Sequence, residues 1–515
     1  MKTNYLIGVD LGTSAVKSTL FNLDGEAVAD AFRPMEIHQP KPGHAEQKPD
    51  DFVVAVGNAI REVIGKSDIA PSSVAAVAFD GQMAGAMGID RHWNPITPWY
   101  PSALDTRYQP YVVQMSERAG DRLIELNGAM PFAAPRLLWW KELFHNVYKK
   151  IDKVVLLPNF VAGALAGLKG DQAFMDPSYL TWFGLGNTAE RCWSSELIDL
   201  FDINEELLPR IVPATTIIGH ISVEAASQCG LLSGTPLVAG TGDQVAGALG
   251  AGLVQEGQLL DVAGTFSGLI TCIKSYIPDT RFNMLQPLAG PLSESHWYSM
   301  MYIGGGGLTH QWFLDEFGIG VMNGHENSLS VSKGLSDLAA AVPPGSEGLL
   351  FIPHLAGRSC PSDPLVRGAW IGFTWTHRRQ HFYRALLESI AFDFAQALEI
   401  LMSYRPDQQF EDVRVVGGGA SNALWNQIKS DVLGLHYKRL CRDDTAALGC
   451  AIIAGHAVGV FSDMTEMAVR FSKTTDNIEP NRSQHRLYEK YIKAYGKIFD
   501  QLNDTFSTIA TLSGG

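Results

Sequence analysis

An α/β fold in two domains is the prediction of this sequence, and three features carry it. Strand patterns alternate with helix patterns, a strand–turn–strand unit near the start recurs half a chain later, and 515 residues exceed one ordinary core. The first unit runs Leu6-Ile-Gly-Val-Asp10, the turn Leu11-Gly12-Thr13-Ser14 and a strand through Lys17 to Phe21. Asp24-Gly25 then gives a hairpin signal before Glu26 to Ala29. The second runs Gly257 to Asp261, through Val262-Ala-Gly264-Thr265-Phe-Ser267-Gly268, into Leu269 to Ile273. Gly/Thr turns are common hairpin chemistry, so the echo suggests a duplicated domain without requiring one. Between the units, Ser73 to Phe79 and Val154 to Leu157 read as strands, and Asp50 to Val63 and Pro135 to Phe144 as helices. Later, Gln380 to Leu401 reads as a long helix with Phe382, Leu386, Ile390 and Phe394 on one stripe. The domains are expected over residues 1–250 and 251–515.

Composition narrows the function. The chain is 46% apolar and 18% charged, ordinary for a globular protein. A net charge of −14 argues against nucleic acid or an anionic membrane as the main partner, although local amides still allow a bound nucleotide. The six cysteines form no CxxC pair and no metal-type spacing, so reduced, mostly buried thiols are expected. The start enters a strand pattern directly, without a signal-type apolar core, and the longest apolar stretch, Val154 to Leu168, is interrupted by Pro158 and Asn159. A cytoplasmic location is the resulting expectation.

Four glycine-rich turns carry the chemistry. In the first, Gly12 permits close backbone approach and Thr13 and Ser14 add hydroxyls, a turn able to cradle phosphate oxygens; Asp10 is placed to hold Mg²⁺ through water. Lys17 is a partner for a terminal phosphate or a solvated strand lysine. In the second, Val238-Ala-Gly240-Thr-Gly242-Asp243-Gln244, an apolar strand delivers an acid onto a glycine turn before a helix pattern from Ala246 to Gly250. Asp243 reads as a catalytic acid or as a plain N-cap. The third, Val416-Gly417-Gly418-Gly419-Ala-Ser-Asn422, joins a strand to a helix bearing Leu424, Ile428 and Val432, a nucleotide-edge geometry but a weak dinucleotide fingerprint. The fourth, Gly304 to Gly307 ahead of Gln311, reads as a flexible phosphate lid or a simple loop. A GxxxxGK[ST] loop is absent from the sequence. Together the turns point to a polyphosphate ligand.

The sequence resembles the FGGY carbohydrate kinases of the actin/hexokinase-like ATPase superfamily, over nearly its whole length and in the expected order. The segments that carry the likeness are IGVDLGTSAVKSTLFN, GHAEQKP, FDGQM, LDTR, MDPSYLTWF, CWSSELIDLFDI, GTGDQVAGALGAG, DVAGTFSG, HLAGRSCPSDPLVRGAWIGFTWTH, ALLESIAF, VVGGGASNALWNQ and DTAALGCAIIAG. The resemblance implies two ribonuclease-H-like domains with the active site in the cleft between them. It implies the sugar side and catalytic acid on the first domain and the adenine nucleotide on the second. By the same resemblance, Asp243 takes the proton from the substrate hydroxyl and Asp10 sits near the Mg²⁺. Thr13, Thr265 and Gly264 face the transferred phosphate. Gly307, Gln311, Gly418, Gly419 and Asn422 line the ATP, while Gln82, Met83, Asp105 and Arg107 fall on the sugar side.

Within the family the string is most similar to xylulokinases, which makes D-xylulose the expected substrate. Two positions depart from that pattern: Ala84 follows GQM where His is usual, and Ala103 stands where Trp usually precedes the LDTR aspartate. Another ketose, a polyol or an aldonate therefore stays open, as does a non-catalytic ATP-binding regulatory protein. An NAD-dependent oxidoreductase would rest only on the degraded glycine motif. The expected partners are a small sugar and ATP, with a homodimer allowed.

Overall fold

The computed structural model describes residues 5–102, 104–318 and 328–512. Ala103 lies outside the described residues.

The first sheet is built from β1 (Tyr5–Leu11), β2 (Ala15–Asn22), β3 (Ala27–Pro34), β4 (Val74–Gly81), β5 (Ile217–His220) and β6 (Pro236–Val238), in the order β5-β6-β4-β1-β2-β3. β1, β2 and β3 form an antiparallel meander, whereas β4 and β6 run parallel to β1. The second sheet comprises β7 (Gln258–Ala263), β8 (Ser267–Ile273), β9 (Gln286–Ala289), β10 (Trp297–Ile303), β11 (Asp412–Val416), β12 (His436–Leu440) and β13 (Thr474–Ile478). Its order is β9-β10-β8-β7-β11-β12-β13. β7, β8 and β10 are the antiparallel meander here, and β11 and β12 continue parallel to β7. Leaving aside the edge strands β5, β9 and β13, five strands of each half, β3-β2-β1-β4-β6 and β10-β8-β7-β11-β12, follow the same order, 3-2-1-4-5. The repeat suggested by two short turns is a repeat of whole-sheet topology.

Apolar strands dictate this arrangement. β4 is buried at every position, as a parallel strand covered on both faces must be. One cover is α1 (Pro49–Ser67), which buries Phe52, Val56, Ile60 and Val63 from one face and carries proline in its first turn. The strand expected at Val154 to Leu157 is shorter, Lys153–Val155, because Pro158 suits the first turn of a helix and Leu157 already opens α2 (Leu157–Ala166). The long helix predicted from Gln380 to Leu401 forms as Arg379–Tyr404.

The halves interlock. α3 (Asp243–Gly250) from the first half crosses α4 (Thr445–Ala457) from the second against β1 and β4, and the shared core joins Leu6, Ala78, Val238 and Leu249 to Leu448, Ile452 and Ile453. The crossing depends on missing side chains. A Cβ on Gly250 would sit 1.9 Å from the Thr445 carbonyl oxygen, and one on Gly449 2.0 Å from that of Ala246. All six cysteines are free thiols, with Cys192 and Cys441 exposed and the rest buried. Among the described residues no helix is long and apolar enough to cross a membrane.

Candidate active site

Sheet topology brings three acids together. Asp10 and Asp80 pair in register on the parallel strands β1 and β4, near their carboxyl ends, the edge at which open α/β sheets bind ligands. The neighbouring strand β6 leads through residues 239–242 to Asp243. The turn needs its glycines: Gly240 has φ +70°, and a Cβ there would lie 1.8 Å from the Phe79 carbonyl oxygen. Gly242 caps α3, so Asp243 is the first residue of the helix and not its cap. Its Oδ1 accepts the Gln244 N–H at 2.7 Å. That bond satisfies a free amide of the helix's first turn without making Asp243 the cap.

Crowding sets the electrostatics. Burial, reinforced by the charge of Asp10, pushes Asp243 up to about 7. Asp80 is fully buried, and burial followed by the charge of Asp10 pushes it well above the carboxylate range. Its Oδ2 accepts the Cys450 thiol at 3.2 Å, and Oδ1 has no hydrogen-bond partner. Asp10 is raised by burial, with the side chain of Asp80 and then the charge of its neighbour Lys17 pulling the other way. Such a cluster of unneutralised acid suits a cation. Among the described residues no trio of His, Cys, Asp or Glu is arranged to hold an ion alone, so the donor set fits a metal shared with phosphate oxygens and water.

The phosphate-type turns face outward from rigid mounts. Ser14 and Thr265 are exposed, and Gly12 and Thr13 half-exposed. Two buried amides hold the first turn from behind: Gln47 donates to the Thr13 carbonyl at 2.9 Å and Gln82 to that of Gly12 at 3.3 Å. The Gly304 to Gly307 segment is neither lid nor free loop. Gly306 and Gly307 open α5 (Gly306–Phe317), packed so tightly that a Cβ on Gly307 would lie 2.1 Å from the Gly264 carbonyl oxygen. Gly417 (φ +96°) and Gly419 press on Ala263 in the same way, while Gly418 opens to space. Gly264, Thr265, Gly307, Gly418 and Gly419 thus converge on one edge of the second sheet. Asn422 caps the helix Ala423–Leu433 through the Trp425 N–H and reaches Ser336 and Tyr383, and Gln311 donates to Asp315 on its own helix.

Asp105 and Arg107 sit in a closed ionic network. Asp105 is fully buried: it accepts from Ala45 N–H, from Arg107 at 2.7 Å and from Arg136 at 2.9 Å. Arg107 also pairs with Glu46 at 2.8 Å and lies over Tyr100 and Trp139. Both oxygens of Asp105 are thereby occupied by protein, and its evident work is to hold two guanidinium groups. Met83 is buried against Gly242, linking the Gln82–Met83 segment to the acid turn. At the junction of the halves a cavity of about 150 Å³ is lined by Tyr108, Met130, Phe132, Asn283, Gln286 and Ser359.

Several contributors carried no assigned role in the sequence reading. Gln47, Asp80, Asp176 and Ser178 lie inside segments already singled out, GHAEQKP, FDGQM and MDPSYLTWF. Arg136 gave no signal, because Pro-Arg-Leu-Leu at a helix start looks like any amphipathic turn.

A two-lobed fold with glycine turns facing an acid-lined edge defines a phosphotransferase of the actin/hexokinase-like ATPase class. The chain belongs to the FGGY family of carbohydrate kinases, whose N-terminal domain model matches residues 5–250 and whose C-terminal domain model matches 262–458. It is 27% identical to a xylulose kinase of Staphylococcus epidermidis, covering 100% of both chains. It is also 27% identical to an autoinducer-2 kinase of Yersinia enterocolitica, covering 99% of this chain and 97% of that one. The crystal structure of gluconate kinase from Lactobacillus acidophilus superposes with a TM-score of 0.88 at 23% identity, covering 98% of this chain and 99% of that one. The chain is accordingly a sugar kinase, and its family uses ATP.

Proposed function

We propose that this sugar kinase transfers the γ-phosphoryl group of ATP to a hydroxyl of D-xylulose, giving D-xylulose 5-phosphate, with Asp243 as general base. The observation that carries the reading is an acid held near pKa 7 at a glycine turn, beside sugar-side Met83. Asp243 takes the hydroxyl proton as the oxygen bonds to the γ-phosphorus and the bond to the β–γ bridging oxygen breaks, releasing ADP. Gly12, Thr13 and Ser14 on one half, and Gly264 and Thr265 on the other, hold the phosphates from two sides, with Lys17 beside the first turn. Gly307, Gln311, Gly418, Gly419 and Asn422 line the nucleotide, while Gln82, Met83 and Arg107, held by Asp105, bound the sugar. Asp10 would hold Mg²⁺, which would neutralise phosphate charge when bound.

The first alternatives are another ketose, a polyol or an aldonate. Charge favours a neutral substrate: Arg107 is ion-paired with Glu46 and Asp105 and Arg136 with Asp105, so their positive charge is already largely matched within the protein. The deciding experiment is ADP release from ATP with a panel of pentuloses, hexuloses, polyols and aldonates. Xylulose-dependent release supports the proposal. Preference for a hexulose or aldonate moves the substrate, and nucleotide binding without sugar-dependent release moves the reading to a regulatory ATP-binding protein.

A further inference from the structure

Residues 176–182 grip the acid turn at one end and the second sheet at the other. At the first end, Asp176 Oδ2 accepts from Thr241 Oγ1 at 3.2 Å. Ser178 Oγ donates to Asp176 and accepts the Gly242 N–H at 3.0 Å. Tyr179 donates its hydroxyl to the Thr241 carbonyl at 3.0 Å. Both residues ahead of Asp243 are therefore fixed from this segment. At the far end, Thr181 Oγ1 donates to the Pro287 carbonyl and Trp182 Nε1 to Gln286 Oε1 at 3.1 Å, both on β9. Asp176, Ser178, Tyr179 and Thr181 are all buried, so water does not compete for these bonds. Between the grips the backbone is compact, a 3₁₀ turn at Pro177–Tyr179 running into a helical turn at Leu180–Phe183. Asn127 braces it, donating to the Thr181 carbonyl at 2.6 Å and accepting the Gly184 N–H at 2.9 Å.

We propose that residues 176–182 are a strap through which the second half of the chain sets the position of Asp243, with Ser178 and Thr181 as positioning residues. The inference rests on Asp243 being the base. A short helical segment bonded at both ends has no slack, so movement of β9 passes to Thr241 and Gly242 instead of being absorbed. Loss of one grip lets the turn relax, and a small misplacement of a base costs rate far more than binding.

The test uses the full chain with Thr181→Val, which removes only the hydroxyl gripping Pro287, and Thr181→Ser, which keeps it. Hydrogen exchange of the peptide over residues 240–246 is read without substrate, and kcat, KM and the pH profile with the best sugar. Thr181→Val is expected to raise exchange over 240–246 several-fold and to lower kcat about tenfold. It should also move the acid limb of kcat, with KM for ATP nearly unchanged and wild-type behaviour restored in Thr181→Ser. Unchanged exchange and an unmoved acid limb in a folded Thr181→Val overturn the strap. Ser178→Ala should give the same exchange phenotype from the other end; if it does not fold, the Thr181 pair still decides. Failure to find any accepted sugar would overturn the kinase reading alone, since exchange is read without substrate.

Discussion

Asp243, Asp10 and Asp80 concentrate negative charge where burial already disfavours it, and the consequences are measurable one residue at a time. Asp243→Asn keeps shape and removes the base, so kcat should fall by roughly 10²-fold or more with ATP affinity little changed, checked by steady-state kinetics and nucleotide titration. With Asp243 near 7, the wild-type kcat profile should fall away as pH drops below about 7, where the base is protonated. The stability effect has the opposite direction. The folded pKa lies above the ordinary 3.8, so the folded chain binds a proton that the unfolded chain releases between those values. Stability therefore declines as pH rises from about 4 to 7, and the cost is complete above 7. Asp243→Asn removes that cost, and its Tm at pH 8 should exceed wild type by roughly 2–4 °C. Ala84, half-buried beside Gln82 and Met83, accepts the Ser102 N–H on its carbonyl at 3.1 Å. In Ala84→His, the imidazole should lower KM for xylulose by roughly tenfold if a ketopentose is the substrate, with kcat less affected.

At the scale of elements, a buried ion pair ties the helix after the Gly417–Asn422 turn to the second sheet. Lys429, on the helix capped by Asn422, meets Asp261 of β7 at 2.6 Å with both side chains fully buried, and its ammonium lies 4.4 Å from the Trp425 ring centroid. Removing one partner strands a charge in the interior. Lys429→Met should cost about 3–5 kcal/mol in urea unfolding, whereas Lys429→Met with Asp261→Leu should recover most of that loss. Glycine packing does comparable work elsewhere: Gly307 seats one helix on the Gly264 turn, and Gly250 and Gly449 let α3 and α4 cross. In each case the missing side chain lets one backbone approach another closely.

For the whole molecule, the turns at Thr13 and Thr265 belong to different sheets, so a triphosphate held by both is expected to draw the halves together. Sugar plus a non-hydrolysable ATP analogue should reduce the radius of gyration in small-angle scattering, while either ligand alone gives less. An unchanged radius with both ligands bound would count against closure. The crossing of α3 and α4, packed through backbone contacts at Gly250 and Gly449, is a natural pivot, because helices can shear there without opening the core.

The sequence by itself determined the α/β class, the duplicated strand–turn–strand units, the glycine turns and the acid at 243, because each is local. Short apolar runs, turn residues and an acid between glycines are written within a dozen neighbouring positions. Tertiary structure alone decided how these parts meet. Asp80 becomes notable only when parallel pairing sets it beside Asp10, and Asp105 proves to be a buried holder of Arg107 and Arg136 through contacts spread over residues 45–136. The Gly304 to Gly307 run read as lid or loop because its partner, Gly264, is some forty residues away, and only packing shows a helix start locked onto that turn. The fold is legible because strand and turn propensities act locally, while the charge, burial and alignment of the site arise from pairings between residues far apart in the chain.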